Sequence, residues 1–357
     1  MTDRTNSLSL LRPIAWSALF LLAIEVGLEV RAYRRGYDTV FLGQQEVVAM
    51  QQDRREPDQW GPTEEFPFRS LVRSPVKPPG VKRIWIASAS QAEDPRMPPD
   101  LIFPSLLEKD LEERGIQVQV LNAGKVGLAT ASMQSVLELR GETWQPDLVV
   151  LYAMQAGSPE GDNSAGRGID GEGPVGPQAN MPRSDQKTPS RLDRVIEEFT
   201  LYTLVKTNLT SRIVAEKQLP DRVADEEIDG FEAAVDSFVG TAEAMGAQPV
   251  LCTIAISHET ENLAEMPDDY RINRLRFDPS VSVAAWVESV DRLNDRLSSY
   301  ARQKDLPLVP LAEKVGGQPM YFRDPVHFTP AGHVAVARVL ADSLAEQLPL
   351  NDLTASR

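Results

Sequence analysis

The sequence predicts an α/β protein: a three-layer α/β/α domain around a central parallel sheet, preceded by an amino-terminal transmembrane helix. Short β-rich runs alternate with helix-period segments from Val81 almost to the carboxyl end. In Ala284–Gln303 the apolar set Val287, Val290, Leu293, Leu297 and Tyr300 keeps to one face of a 3.6-residue helix. The most apolar stretch, Leu8–Val30, stands apart at the amino end.

As a helix, the 23 residues of Leu8–Val30 would span about 34 Å, close to the thickness of a bilayer core. Arg12 and Pro13 interrupt its start, and Glu25 and Glu29 sit one turn apart near its end. No small-x-small cleavage site follows, so residues 1–30 read as an uncleaved signal anchor, with an apolar helix docked on a soluble domain as the alternative that Glu25 and Glu29 keep open. Arg4 and Arg12 precede the span while Arg31, Arg34 and Arg35 follow it, and on counting alone this favours a cytoplasmic carboxyl end. Residues 31–80 carry clustered prolines (Pro57, Pro62, Pro67, Pro75, Pro78, Pro79) and no sustained period, the texture of a juxtamembrane stalk or wrapping segment.

The domain itself is expected over residues 81–350. Strands are predicted at Val81–Ala87, Ile116–Leu121, Asp147–Ala153, Gln248–Ile254 and Leu306–Leu311. Helices are predicted at Leu101–Arg114, Thr130–Glu142, Glu226–Met245, Ala284–Gln303 and Pro330–Gln347. Right-handed crossovers between such strands produce a parallel sheet with helices on both faces. One segment breaks the rhythm: Ala156–Ser190 holds seven Gly and five Pro in 35 residues and is expected to be a mobile surface insertion.

Composition narrows the function. The 357-residue chain has 42% apolar and 25% charged residues, ordinary globular usage. Its 37 Lys and Arg against 52 Asp and Glu leave a net charge of −15, the wrong sign for a nucleic-acid binder. A single cysteine, Cys252, excludes an internal disulfide and thiolate metal clusters, and reads as a small core residue. Only His258, His327 and His333 are available for imidazole chemistry. The acidic run at residues 221–227 reads as a solvated helix start, and no metal or other cofactor is called for.

In open parallel sheets, ligands bind beyond the carboxyl ends of the strands. Ser88-Ala89-Ser90-Gln91 follows the first predicted strand, Asn122-Ala123-Gly124 the second and Met154-Gln155-Ala156-Gly157 the third. Late in the chain, Thr329-Pro330 forms a helix N-cap and first-turn pair, which places Asp324 and His327 in the loop entering the last helix. A carboxylate three residues before a histidine can hold one ring nitrogen while the other faces a nucleophile, as in serine hydrolases. Ser88 is the alternative to Ser90 should the register be shifted. His333 reads as structural and His258 as a solvated loop histidine.

The order of these strand-end motifs resembles the SGNH (GDSL-like) hydrolase superfamily, particularly its membrane-anchored bacterial members. The resemblance covers roughly Val81 to Gln347. It implies a flavodoxin-like domain in which Ser90 is the nucleophile, His327 the general base and Asp324 its orienter, with no cofactor. It also implies an oxyanion hole built from the amides of Ser90 and Gly124. The family's third block supplies an asparagine where this chain has Ala156, so a substitute donor such as Gln155, Asn163 or Asn180 is called for. The implied activity is that of a serine esterase or deacylase acting on acyl or acetyl esters, on a small molecule or on a cell-envelope glycan or lipid. The implied location is a single-pass membrane protein with its catalytic domain extracytoplasmic, periplasmic in a Gram-negative cell. Two other functions remain open at this stage: a catalytically degenerate module that binds a glycan or partner protein, and an O-acyltransferase using the same site.

Overall fold

A computed structural model describes residues 23–24, 26–27, 59–154 except 64, and 219–348 except 279. The chain divides into two units: residues 55–180 with 219–357, and residues 1–54 with 181–218. In the second of these only Ala23, Ile24, Val26 and Gly27 are described, all helical. Among the described residues no helix is long and apolar enough to cross a membrane. The expected anchor lies almost wholly outside the described residues, as does the expected insertion at 156–190.

The larger unit is built on a five-stranded parallel sheet. Its elements run β1 (Lys82–Ser88), α1 (Ser90–Glu93), α2 (Phe103–Glu113), β2 (Val118–Asn122), α3 (Thr130–Trp144) and β3 (Leu148–Tyr152). After the undescribed stretch come α4 (Asp225–Ala244), β4 (Gln248–Cys252), α5 (Asp268–Phe277), α6 (Val283–Lys304), β5 (Leu308–Val309), α7 (Leu311–Val315) and α8 (Pro330–Ala345). The strand order β2-β1-β3-β4-β5 is that of a doubly wound sheet, whose direction of progression reverses at β1. Pairing is in register along the centre, with Ile86 opposite Asn122 and Ser88 opposite Tyr152.

Because successive strand residues point to opposite faces, each strand feeds two cores. Trp85, Ala87, Leu121, Val149, Leu151 and Leu251 pack against α3, α4 and α6 on one face. Ile84, Ile86, Val120, Val150, Val250, Cys252 and Val309 pack against α2, α7 and α8 on the other. The near-continuous apolar runs of β1 and β3 follow from this double burial, and Cys252 is enclosed at 1% exposure.

Residues 59–80 wrap the domain. Trp60 bridges to Leu71 in antiparallel fashion. Between them, Phe66 and Phe68 are buried edge-on against Trp144, and Phe68 also meets Trp85 at 5.0 Å. The buried Arg83 guanidinium fastens the far end of this strap, donating to the carbonyls of Ser74 and Pro75 at 2.6 and 2.8 Å. The aromatic pair was not separable from linker texture in the sequence, since two aromatics set among prolines carry no period.

Candidate active site

β1 ends at Ser88, and Ala89 turns the chain directly into the four-residue helix α1, whose first residue is Ser90. That places Ser90, half-buried, at the carboxyl edge of the sheet, where the order of the strands reverses. Its amide is one of the first-turn N–H groups that no intrahelical carbonyl can satisfy. Ser88, the alternative nucleophile, is fully buried at the end of β1, and its hydroxyl has no hydrogen-bond partner among the described residues.

The loop before α8 comes to the same edge. Phe322 and Phe328 form an antiparallel bridge, and the Arg323 amide donates to the His327 carbonyl at 2.9 Å. The five residues between the phenylalanines are thereby held as a closed loop. Thr329 caps α8, its hydroxyl accepting from the Gly332 amide at 3.1 Å. Gly332 has a steric reason to be glycine: a Cβ there would lie 2.1 Å from the Tyr321 carbonyl oxygen.

Within that loop His327 Nδ1 lies 2.7 and 2.9 Å from the two carboxylate oxygens of Asp324. Its Nε2 lies 2.9 Å from Ser90 Oγ. A carboxylate can only accept, so Nδ1 carries the proton and Nε2 is the acceptor that faces the serine hydroxyl. Burial pushes the Asp324 carboxyl up, but bonds from the His327 ring and from the Val326 and His327 amides outweigh it. Its pKa lies below the ordinary carboxylate value, which keeps it ionised.

Gly124 is placed differently from expectation. Its amide donates to the Asn122 side-chain oxygen at 3.0 Å and so is not offered to a substrate oxyanion. The glycine is required by space: a Cβ would stand 2.6 Å from that of Ala92 and 3.2 Å from the Ala89 carbonyl oxygen. Asn122 in turn donates to the carbonyls of Ala92 and Arg69, locking the second strand's end onto the serine turn. Other amides of the loop are also engaged: Ala123 with the Ile86 carbonyl, Lys125 with that of Ser88, Val126 with the Glu93 carboxylate and Leu128 with the Lys125 carbonyl. Gly127, exposed and at φ +81°, has no acceptor for its N–H among the described residues. The bond that engages Gly124 is local, an Asn side chain accepting from the amide two residues on, as in an Asx turn.

The third strand delivers Met154, whose sulfur accepts from the Gln91 carboxamide at 3.0 Å. Gln155, Ala156, Asn163 and Asn180 lie outside the described residues. His258 is not a solvated loop residue. It is 1% exposed, with Nδ1 at 2.9 Å from Ser257 Oγ and its ring edge-on to Tyr270, because the loop after β4 folds beneath α5. His333 is fully buried in α8, its Nδ1 accepting from the Phe103 amide at 3.1 Å and its Nε2 lying 2.9 Å from Asp94.

The chemistry open to this arrangement is nucleophilic acyl transfer: the serine hydroxyl has a positioned base, and that base has an ionised orienter. No protein-family model matches the chain, and no curated protein does. Among solved structures it is similar to TesA, at 16% identity and a TM-score of 0.43 over 75% of this chain and 100% of that one. It is also similar to a lipase/acylhydrolase from Enterococcus faecalis, at 14% identity and a TM-score of 0.44 over 76% and 99% of the two chains. A third is Axe2, an acetylxylan esterase from Geobacillus stearothermophilus, at 13% identity and a TM-score of 0.42 over 74% and 94%. The functional reading rests on the geometry of Ser90, His327 and Asp324.

Proposed function

We propose that this chain is a serine ester hydrolase of the SGNH type, acting on acyl or acetyl esters. The observation that carries the reading is the pair of contacts on one imidazole: His327 Nε2 to Ser90 Oγ at 2.9 Å, and Nδ1 to Asp324 at 2.7 Å. His327 removes the Ser90 proton as Oγ bonds to the ester carbonyl carbon. The carbonyl oxygen becomes an oxyanion, held by the Ser90 amide. Collapse breaks the bond to the alcohol oxygen, which leaves with the proton from His327. Water, deprotonated by the same imidazole, then releases the acid and restores Ser90. An amino-terminal membrane anchor and an envelope glycan or lipid ester as substrate belong to this proposal through the sequence resemblance.

The test is a serine-reactive fluorophosphonate, read by intact mass and peptide mapping. Stoichiometric modification at Ser90, abolished in Ser90→Ala and reduced by about 10³ or more in His327→Ala, is the expected result. A folded protein that takes up no reagent would leave a binding module without catalytic activity.

A further inference from the structure

The geometry points to Asp94 as a positioning residue that sets the Ser90–His327 distance by clamping the serine turn to the histidine loop; this rests on the hydrolase reading above. Asp94 closes α1 in the left-handed region at φ 31°, and its amide donates to the Ser90 carbonyl at 3.0 Å. Its carboxylate, 1% exposed, receives both ends of the Arg323 guanidinium, at 2.6 Å on Oδ1 and 2.9 Å on Oδ2. Oδ2 also lies 2.9 Å from His333 Nε2. Since His333 Nδ1 accepts from the Phe103 amide, Nε2 bears the proton and donates to Asp94. From the strap, Arg69 donates to the Asp94 and Met97 carbonyls.

These bonds close a ring through the triad. One side is the contact between Ser90 and His327. The other runs from the Ser90 carbonyl to the Asp94 amide, from the Asp94 carboxylate to Arg323, and from the Arg323 amide to the His327 carbonyl. α1 has only four residues and no side-chain cap, so the position of Ser90 depends on the bonds made around the turn as well as within it. A bidentate Arg–carboxylate pair supplies direction as well as attraction. A misplacement of about 1 Å can cost about 10²-fold in rate. Asp94 touches neither Ser90 Oγ nor the His327 ring, and its effect is exerted through Arg323 and the backbone.

The experiment compares the fluorophosphonate rate constant and final stoichiometry of wild type, Asp94→Asn, Arg323→Lys and Glu108→Gln. Glu108 is a matched control: a buried carboxylate paired with Arg73 at 2.6 Å and bonded to the Val120 amide. Asn tolerates the left-handed backbone at position 94 but replaces an acceptor with a donor facing Arg323 and His333. Positioning predicts that Asp94→Asn reaches full stoichiometry with a rate constant lowered at least tenfold, Arg323→Lys lowered less, and Glu108→Gln unchanged. A merely structural role would lower the stoichiometry and leave the rate of the folded fraction at the wild-type value, which would overturn the proposal. Should Asp94→Asn fail to fold, Arg323→Lys carries the test, and a wild-type rate there overturns it. Wild type that resists labelling would sink the hydrolase reading itself, whereas labelled wild type with unaffected variants would sink only the clamp.

Discussion

Two acidic residues near the site do different work. Asp324 holds the imidazole tautomer, so Asp324→Asn, which keeps the shape but can present a donor to Nδ1, is expected to lower the labelling rate by about 10³ to 10⁴. Asp94 bears on stability. Burial pushes its carboxyl up, but the bonds from His333 and Arg323 outweigh this and bring its pKa from 3.8 to about 2. A carboxyl whose folded value is depressed contributes stability that is complete above about pH 4 and is lost as the pH falls toward 2; the difference is worth about 2 kcal/mol. Burial also holds His333 below its ordinary value of 6.5 despite the neighbouring Asp94. The unfolded chain therefore takes up that proton first, and stability begins to decline below about pH 6.5. Urea midpoints measured from pH 7 to pH 3 are expected to fall in wild type and to fall less steeply in Asp94→Asn; parallel curves would remove Asp94 from this account. Of these residues, Ser90, Asp324 and His327 were legible in the sequence because each sits in a short local pattern at an element boundary. Asp94 was not, since its partners lie 25, 229 and 239 positions away.

At the scale of elements, periodicity told most where a helix covers the sheet and least where a segment is short. α6 shows its buried stripe plainly and spans Val283–Lys304 against an expected Ala284–Gln303. α5 was missed because its run Asp268–Phe277 is polar with no coherent apolar face. β5 shrank to Leu308–Val309, since only two residues of that apolar run pair with β4. α1 is too short to carry any period, yet it bears the nucleophile. The cap of α8 is where element and site meet. Thr329→Ala removes the bond to Gly332 and is expected to cost about 1 kcal/mol of unfolding free energy. Gly332→Ala drives a methyl into the Tyr321 carbonyl, so the 322–328 loop must shift. Its expected signature is a larger loss of labelling rate than of stability, measured by paired thermal melts and fluorophosphonate kinetics.

For the molecule as a whole, the sequence located the domain's start at Val81, while the structure folds residues 59–80 into the same core. Phe66 and Phe68 cover Trp85 and Trp144, which would otherwise face solvent at the strap side of the sheet. Phe68→Ala is expected to destabilise by about 3 to 5 kcal/mol, and a chain begun at residue 81 by more, both read from chemical denaturation. Arg69 lies one residue beyond this aromatic pair and reaches the carbonyls that follow the serine turn, so loss of the strap also loosens the site. The sequence concealed this because prolines set the strap's path while two isolated aromatics anchor it.

The lone thiol gives the sheet a built-in clock. Cys252 sits in β4 between β3 and β5, and burial pushes its pKa above the ordinary thiol range, so a thiol reagent meets almost no thiolate in the folded molecule. Its modification rate therefore counts openings of the sheet's centre. Any substitution named above that keeps Ser90 can be read twice on one sample, at Ser90 for the readiness of the site and at Cys252 for how often the fold comes apart.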